Sequence, residues 1–144
     1  MDVRDAAVAE LDAVTLYRIL ALRSAVFVVE QNCVYLDPDG RDLEPAARQL
    51  WIEDQDGEVV ATLRLLVDDD GRYRIGRVAT ADTARSRGLA ALLMNRVLEL
   101  VGDAPAVLGA QTYLVDWYTR FGFVPSGDEY IEDGIPHTPM TRTP

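Results

Sequence analysis

The spacing of apolar side chains predicts one long helix at the start of the chain. From Leu11 to Gln31 apolar residues recur every three or four positions, which is the period of one face of an α-helix. Asp12 or Thr15 is placed to cap its first turn. Residues 32–48 then combine proline, glycine and several acids, a composition typical of a surface loop. We expect this loop to shape the entrance of a binding site.

The middle of the chain predicts an antiparallel meander of three strands followed by a second helix. Runs rich in Val, Leu and Ile are separated by Asp-Gly turns, a strong signal for hairpins. The predicted strands are Gln49–Glu53, Glu58–Val67 and Tyr73–Thr80. Helical spacing returns at Leu89 and stops at Gly102, which ends the helix.

The last third predicts a strand, a helix and a closing hairpin. Ala106–Ala110 is short, apolar and bounded by breakers, as expected of a buried strand. A helix is predicted over Gln111–Phe121, closed by Gly122, and a hairpin around Glu132–Pro136. Antiparallel strands followed by strand, helix and strand indicate a mixed α/β (α+β) sheet flanked by helices. The length of 144 residues suits a single domain over 1–144.

A basic, glycine-containing loop joins the third strand to the second helix. Its sequence is Arg85-Ser86-Arg87-Gly88-Leu89-Ala90. The first N–H groups of a helix have no intrahelical acceptor, and the helix dipole favours an anion there. Gly88 allows close approach of a ligand to the backbone, and the two arginines supply charged forks for phosphate oxygens. Taken alone, such a loop is more often a solvated turn than an anion site.

Two motifs in this order resemble the GNAT superfamily of N-acetyltransferases. The pattern Arg-x-x-Gly-x-Ala at Arg85–Ala90 is similar to the loop that holds the acyl-CoA pyrophosphate, and Tyr118–Phe123 resembles the Tyr-x-x-x-Gly-Phe signature of a later helix. Phe27–Gln31 and Glu132–His137 narrow the resemblance to the ElaA-like branch. Together these segments span nearly the whole chain.

The resemblance implies acetyl-CoA as cosubstrate and a sheet whose central strands, those of Ala79 and Leu108, splay apart around the thioester. It implies that the backbone at Val78 and Thr80 pairs with the pantetheine arm as an added strand would. Gln111 stands where the family often has an asparagine that contacts the cofactor. The expected cofactor-binding set is listed here: Val78, Ala79, Thr80, Arg85, Ser86, Arg87, Gly88, Leu89, Ala90, Gln111 and Tyr118.

Three side chains are candidates for proton transfer. By resemblance, Tyr118 lies near the thioester sulfur and donates a proton to the leaving thiolate, although it could instead simply pack beside Trp117. His137 belongs to the residue type whose unperturbed pKa lies near neutrality, so it could accept a proton from an ammonium, or be structural. Glu30, at the polar end of an apolar helix face, is either a pocket carboxylate or a solvated helix end.

Charge and composition restrict the partners. The net charge of -10 disfavours nucleic acid or an anionic membrane, and suits a small anionic ligand at one basic focus and a cationic amine as acceptor. The N-terminus lacks the pattern of a secretory signal, and no apolar run is long enough to span a membrane, so we expect a cytoplasmic protein. One cysteine, Cys33, and one histidine cannot form the usual zinc sites, and no metal is expected. Both a monomer and a homodimer remain open.

The sequence therefore predicts an N-acetyltransferase that moves an acetyl group directly from acetyl-CoA to a small-molecule or peptide amine. The alternative is a module that binds acyl-CoA as a sensor without turnover. Arg64 and Arg77 lie inside predicted strands, where each either extends to the surface or pairs with acids.

Overall fold

One mixed sheet crosses the molecule. The structure is a computed structural model that describes residues 1–144. Its strands are β1 Arg4–Ala6, β2 Arg48–Glu53, β3 Val59–Val67, β4 Tyr73–Thr80, β5 Ala106–Gln111, β6 Val124–Pro125, β7 Tyr130–Glu132 and β8 Ile135–Arg142. The order is β1-β2-β3-β4-β5-β8-β6, with β7 also paired to β8. The β4–β5 pair is parallel and all other pairs are antiparallel. The predicted mixed, mostly antiparallel sheet is confirmed.

The two central strands separate soon after they meet. β4 and β5 pair only at Tyr73 with Ala106 and at Arg74 with Val107, although both strands continue well beyond this point. The edge of β4 that faces β5 is therefore without a strand partner from Ile75 onward. The splayed geometry expected from the sequence is present, and it opens a gap in the middle of the sheet.

Helices cover both faces of the sheet. They are α1 Ala13–Arg23, α2 Leu89–Val101 and the short α3 Val115–Thr119. On the α2 face, Leu93 and Val97 pack against Leu63 and Ile75 in the larger buried core. On the α1 face the buried cluster includes Ile19. No helix is both long and apolar enough to cross a membrane.

The first helix differs from the continuous α-helix that the spacing predicts. Asp12 caps it, because its carboxylate accepts a hydrogen bond of 2.7 Å from the Thr15 N–H. After Arg23 the backbone widens into a π-helix over Ser24–Glu30, whose N–H donors reach carbonyls five residues earlier. The N–H of Gln31, for example, donates to the carbonyl of Val26.

The loop at residues 32–48 is held to the sheet by buried ion pairs. Three arginines and three aspartates form the connected set that we call the Arg–Asp network: Arg23, Arg64, Arg77, Asp37, Asp39 and Asp42. Arg23 is fully buried and bonds Asp37 at 2.8 Å and Asp42 at 2.8 Å. The two strand arginines thus pair with acids, and the predicted surface loop buries two of its carboxylates.

Two features of the predicted elements were wrong. β1 was not predicted; it adds a short edge strand to the meander, so the antiparallel part has four strands. Gln111 ends β5 instead of starting a helix, because it pairs with His137 of β8, and α3 begins only at Val115. The closing hairpin predicted around Glu132–Pro136 is present, and its turn consists of Asp133 and Gly134, both with positive φ.

Candidate functional site

A cavity of about 840 Å³ occupies the gap between the splayed strands. β4 lines it continuously from Ile75 to Thr80, and β5 contributes Leu108, Gly109 and Gln111. The π-helix closes one side with Glu30, and the β7–β8 hairpin closes another with His137. The fold therefore brings the separate sequence motifs to one site.

A β-bulge shapes the wall of this cavity at β4. Arg64 is opposite Gly76 and Thr62 is opposite Ala79, so Arg77 and Val78 together face one residue of β3. Arg77 has a φ of 52°, a left-handed conformation that non-glycine residues adopt rarely. The bulge bends the strand and redirects its backbone groups. Beyond it, the unpaired edge at Val78, Ala79 and Thr80 borders the cavity and is free to pair with an extended ligand.

The basic loop forms a second, smaller cavity of about 220 Å³ at the start of α2. Its lining includes Ser86, Gly88 and Leu89, and it shares Arg85 and Ala90 with the larger cavity. The φ of Gly88 is 74°, and no side chain caps the helix start, so the first amides of α2 are available to an anion. The two cavities therefore adjoin, one at the helix start and the other in the strand gap.

Arg87 lies apart from both cavities. It lines neither of them, and its guanidinium donates to the Thr83 carbonyl at 3.4 Å. Of the two loop arginines, only Arg85 is directed into the site.

An ion pair joins the basic loop to the π-helix. The Arg85 guanidinium lies 2.6 Å from the Glu30 carboxylate and also donates to the Thr80 carbonyl. The hydrogen bond from Arg85 lowers the pKa of Glu30 below its usual value. A carboxylate held in this way is a weak proton acceptor, because its charged form is already stabilised.

Tyr118 reaches the cavity from α3 with its ring buried. The ring packs edge-on against Trp117, with centroids 4.9 Å apart, and no group of the protein bonds its hydroxyl. Burial raises the pKa of Tyr118 to about 12. The phenol therefore stays protonated at neutral pH, where it can give up a proton but does not act as a phenolate base.

His137 lies on the opposite wall with one ring nitrogen already bonded. Its Nδ1 lies 2.7 Å from the Ile135 carbonyl, and since a carbonyl oxygen only accepts, Nδ1 carries the hydrogen. In the neutral ring this leaves Nε2 with a free lone pair.

Gln111, opposite His137 in the β5–β8 ladder, donates to the Gln31 side chain at 3.3 Å.

Two further aromatic residues line the site, and of these Tyr130 was not identified from the sequence. Tyr35 lines the cavity, donates to Asp37 and lies under the guanidinium of Arg77, with 5.5 Å to the ring centroid. Tyr130 lines the cavity and stacks on His137. The signal for Tyr130 was its place in the hairpin, since a tight turn at residues 133 and 134 puts it opposite His137. Cys33 is buried and donates to backbone carbonyls.

No three or more His, Cys, Asp and Glu side chains are grouped so that they could hold a metal ion. The cavity is lined by backbone groups, four tyrosine phenols, the His137 imidazole and several carboxylates, among them Glu30 in its pair with Arg85.

Comparison with known proteins finds a matching family and relatives that cover most of the chain. The family model for an acetyltransferase (GNAT) domain matches residues 36–144. The chain is 48% identical over 136 residues to a UPF0039 protein of Mycobacterium tuberculosis, covering 92% of this chain and 87% of the relative. It is 44% identical over 141 residues to protein ElaA of Escherichia coli, covering 92% and 90% of the two chains.

Two solved structures match over nearly the full length. The crystal structure of an acyl-CoA N-acyltransferase from Pseudomonas aeruginosa superposes with a TM-score of 0.92 at 41% identity, covering 99% of this chain and 100% of the other. The crystal structure of Escherichia coli ElaA superposes with a TM-score of 0.91 at 41% identity, covering 98% of each chain.

Proposed function

Because this chain belongs to the GNAT superfamily of acetyltransferases, in its ElaA-like branch, and is an acyltransferase that uses acetyl-CoA, we propose that it transfers the acetyl group directly to an amine within a ternary complex. The observation that carries the proposal is that the two cavities adjoin, with Arg85 and Ala90 in the lining of both. One route leads from the anion-binding helix start at Gly88 along β4 to the gap where Tyr118 and His137 face the same space.

The residues along this route suit acetyl-CoA, which supplies the activated thioester. The amides at Ser86–Ala90 and the Arg85 guanidinium hold the pyrophosphate. The unpaired edge at Val78, Ala79 and Thr80 bonds the pantetheine arm, and an N–H of this bulged segment donates to the thioester carbonyl oxygen. Gln111, at the end of β5, offers its side-chain amide to the arm.

Proton transfer is divided between His137 and Tyr118. His137 takes a proton from the acceptor amine through Nε2, since Nδ1 is occupied by its bond to Ile135. Glu30 is the weaker candidate for this role, because Arg85 lowers its pKa. Tyr118 donates its proton to the departing sulfur from the other wall.

The direct test combines binding and turnover on one sample. Calorimetric titration compares acetyl-CoA, CoA and ATP, and thiol release is then followed with polyamines, amino acids and peptides as acceptors. Selective binding of CoA and amine-dependent thiol release are expected. Binding without release would indicate an acyl-CoA sensor, and absence of CoA binding would overturn the assignment of the site.

Replacing Gly88 with leucine is expected to weaken CoA binding by roughly 100-fold or more, equivalent to about 3 kcal/mol. The left-handed φ disfavours any side chain, and a bulky one fills the space at the helix start. Gly71→Leu is a matched control, because Gly71 also has positive φ and open surroundings but lies in the β3–β4 turn. Calorimetry should show normal CoA affinity for the control; equal loss in both variants would contradict a local role for Gly88.

Replacing Glu30 with glutamine is expected to tighten CoA binding up to about fivefold at low salt, as an exposed ion pair is worth at most about 1 kcal/mol. In the free protein Glu30 competes for the same guanidinium that the pyrophosphate needs.

The matched control for this exchange is Glu132→Gln, which alters a cavity carboxylate that has no ion-pair partner. Its CoA affinity should equal that of the wild type. If Glu30→Gln binds CoA no more tightly than Glu132→Gln, Glu30 does not compete for Arg85.

A further inference from the structure

Tyr130 makes two contacts that the proposed reaction does not by itself explain. It lies directly opposite His137 in the β7–β8 ladder, and the two rings stack with centroids 5.5 Å apart and planes inclined by 21°. Its hydroxyl extends across β8 to β5 and rests above Gly109. The phenol therefore covers the imidazole and ends beside the gap between the central strands.

Gly109 leaves the space that this hydroxyl occupies. A Cβ built at residue 109 would collide with the Tyr130 hydroxyl oxygen and would lie 3.5 Å from its Cζ atom. The φ of Gly109 is not among the positive values of the chain, so its backbone conformation does not itself require glycine. Glycine at position 109 therefore leaves room for the hydroxyl of Tyr130.

We propose that Tyr130 is a positioning residue for His137. An imidazole attached to a strand can still rotate about its side-chain bonds, and the Ile135 carbonyl fixes only one edge of the ring. Stacking on Tyr130 fixes the plane as well, so that Nε2 keeps one direction relative to the cavity. This inference rests on the proposed role of His137 as the group that takes the proton.

The test uses the collision predicted at residue 109. Gly109→Ala pushes the Tyr130 hydroxyl away and tilts its ring, and kcat/KM for the amine should fall about 10-fold or more, since small misplacements of catalytic groups are costly. Tyr130→Phe keeps the stacked ring and should stay within about threefold of the wild type. In the double variant the remaining 3.5 Å distance is an ordinary van der Waals contact, so activity should return to the level of Tyr130→Phe.

The rescue separates positioning from simple obstruction. If the added methyl group acts by blocking the acceptor, removing the hydroxyl of Tyr130 does not restore activity. Failure of the double variant to recover would therefore overturn the inference. Both substitutions leave the charge of the cavity unchanged, including that of Arg74, Glu132 and Asp133 on this side.

A second readout does not depend on turnover. His137 is the only histidine of the chain, so its imidazole signals in a ¹³C–¹H spectrum of tag-free protein need no assignment by mutation. The ring current of the aromatic side chain at position 130 should shift these signals in the wild type, where it is tyrosine, and in the double variant, where it is phenylalanine. Tyr130→Leu should remove the shift and Gly109→Ala should alter it.

Unchanged imidazole signals in Tyr130→Leu and Gly109→Ala would overturn the positioning role. A failure of the proposed function looks different: His137→Asn would then acetylate amines as fast as the wild type, while the imidazole signals of the Tyr130 variants still moved.

Discussion

Replacing Tyr118 with phenylalanine is expected to lower kcat by about 100- to 10,000-fold, the usual contribution of a positioned proton donor. The ring packing against Trp117 is kept, because only the hydroxyl is lost. Burial raises the pKa of Tyr118 to about 12, so the phenol is protonated throughout the working range and donates when the sulfur departs. CoA affinity should change by less than about twofold, since the hydroxyl acts only as the transition state forms.

The measurement is thiol release at saturating acetyl-CoA and amine, with calorimetry for CoA. Tyr113→Phe is a matched control, because Tyr113 lines the same cavity but is largely exposed; its kcat should stay within about threefold of the wild type. An unchanged kcat in Tyr118→Phe would remove the phenol from the mechanism. Because the pKa of Tyr118 is raised, ionisation of this group should cause no loss of activity between pH 7 and about pH 10.

Replacing Arg23 with methionine is expected to lower the free energy of unfolding by about 3–5 kcal/mol. Arg23 is fully buried, and both Asp37 and Asp42 bond to it at 2.8 Å. The variant leaves Asp37 with Arg77 as its only charged partner, inside the protein. Removing one member of a buried ion pair is more costly than removing the whole set, because the remaining charges stay desolvated.

Urea denaturation at pH 7 measures this loss, and Arg18→Met provides the control. Arg18 is also on α1, but it is partly exposed and pairs with Glu58 at 3.5 Å, so its loss should cost about 1 kcal/mol or less. If the two variants are equally stable, the Arg–Asp network does not carry the stability of this region.

Local patterns were sufficient for the elements whose neighbours in space are also neighbours in sequence. The strands from β2 to β4 follow one another through short turns, and α2 was predicted with its bounds because its apolar face is regular and Gly102 ends it. The motifs at Arg85–Ala90 and Tyr118–Phe123 identified the family, which the comparisons confirm. The mixed sheet followed from the order of the predicted elements and its splayed central strands followed from the family; both are confirmed.

What could not be predicted depends on contacts between distant residues. The acids of the 32–48 loop look like ordinary surface residues, and only the folded chain shows that Asp42 is bonded by both Arg23 and Arg64. The π-helix leaves the apolar spacing of residues 24–30 almost unchanged, so periodicity cannot distinguish it from an α-helix. The contact of Tyr130 with Gly109 joins two strands that are not adjacent in the sheet.

The Arg–Asp network also determines which neighbouring positions of the cavity wall can be substituted without loss of stability. Asp37 is bonded from both sides, by Arg23 and by Arg77, so the path of the backbone around it is set by the interior. Leu36, the neighbouring residue, lines the cavity but is 77% exposed and contributes nothing to either core. Substitution at Leu36 therefore changes the lining of the cavity at almost no cost in stability, whereas substitution at Asp37 removes a buried partner of two arginines.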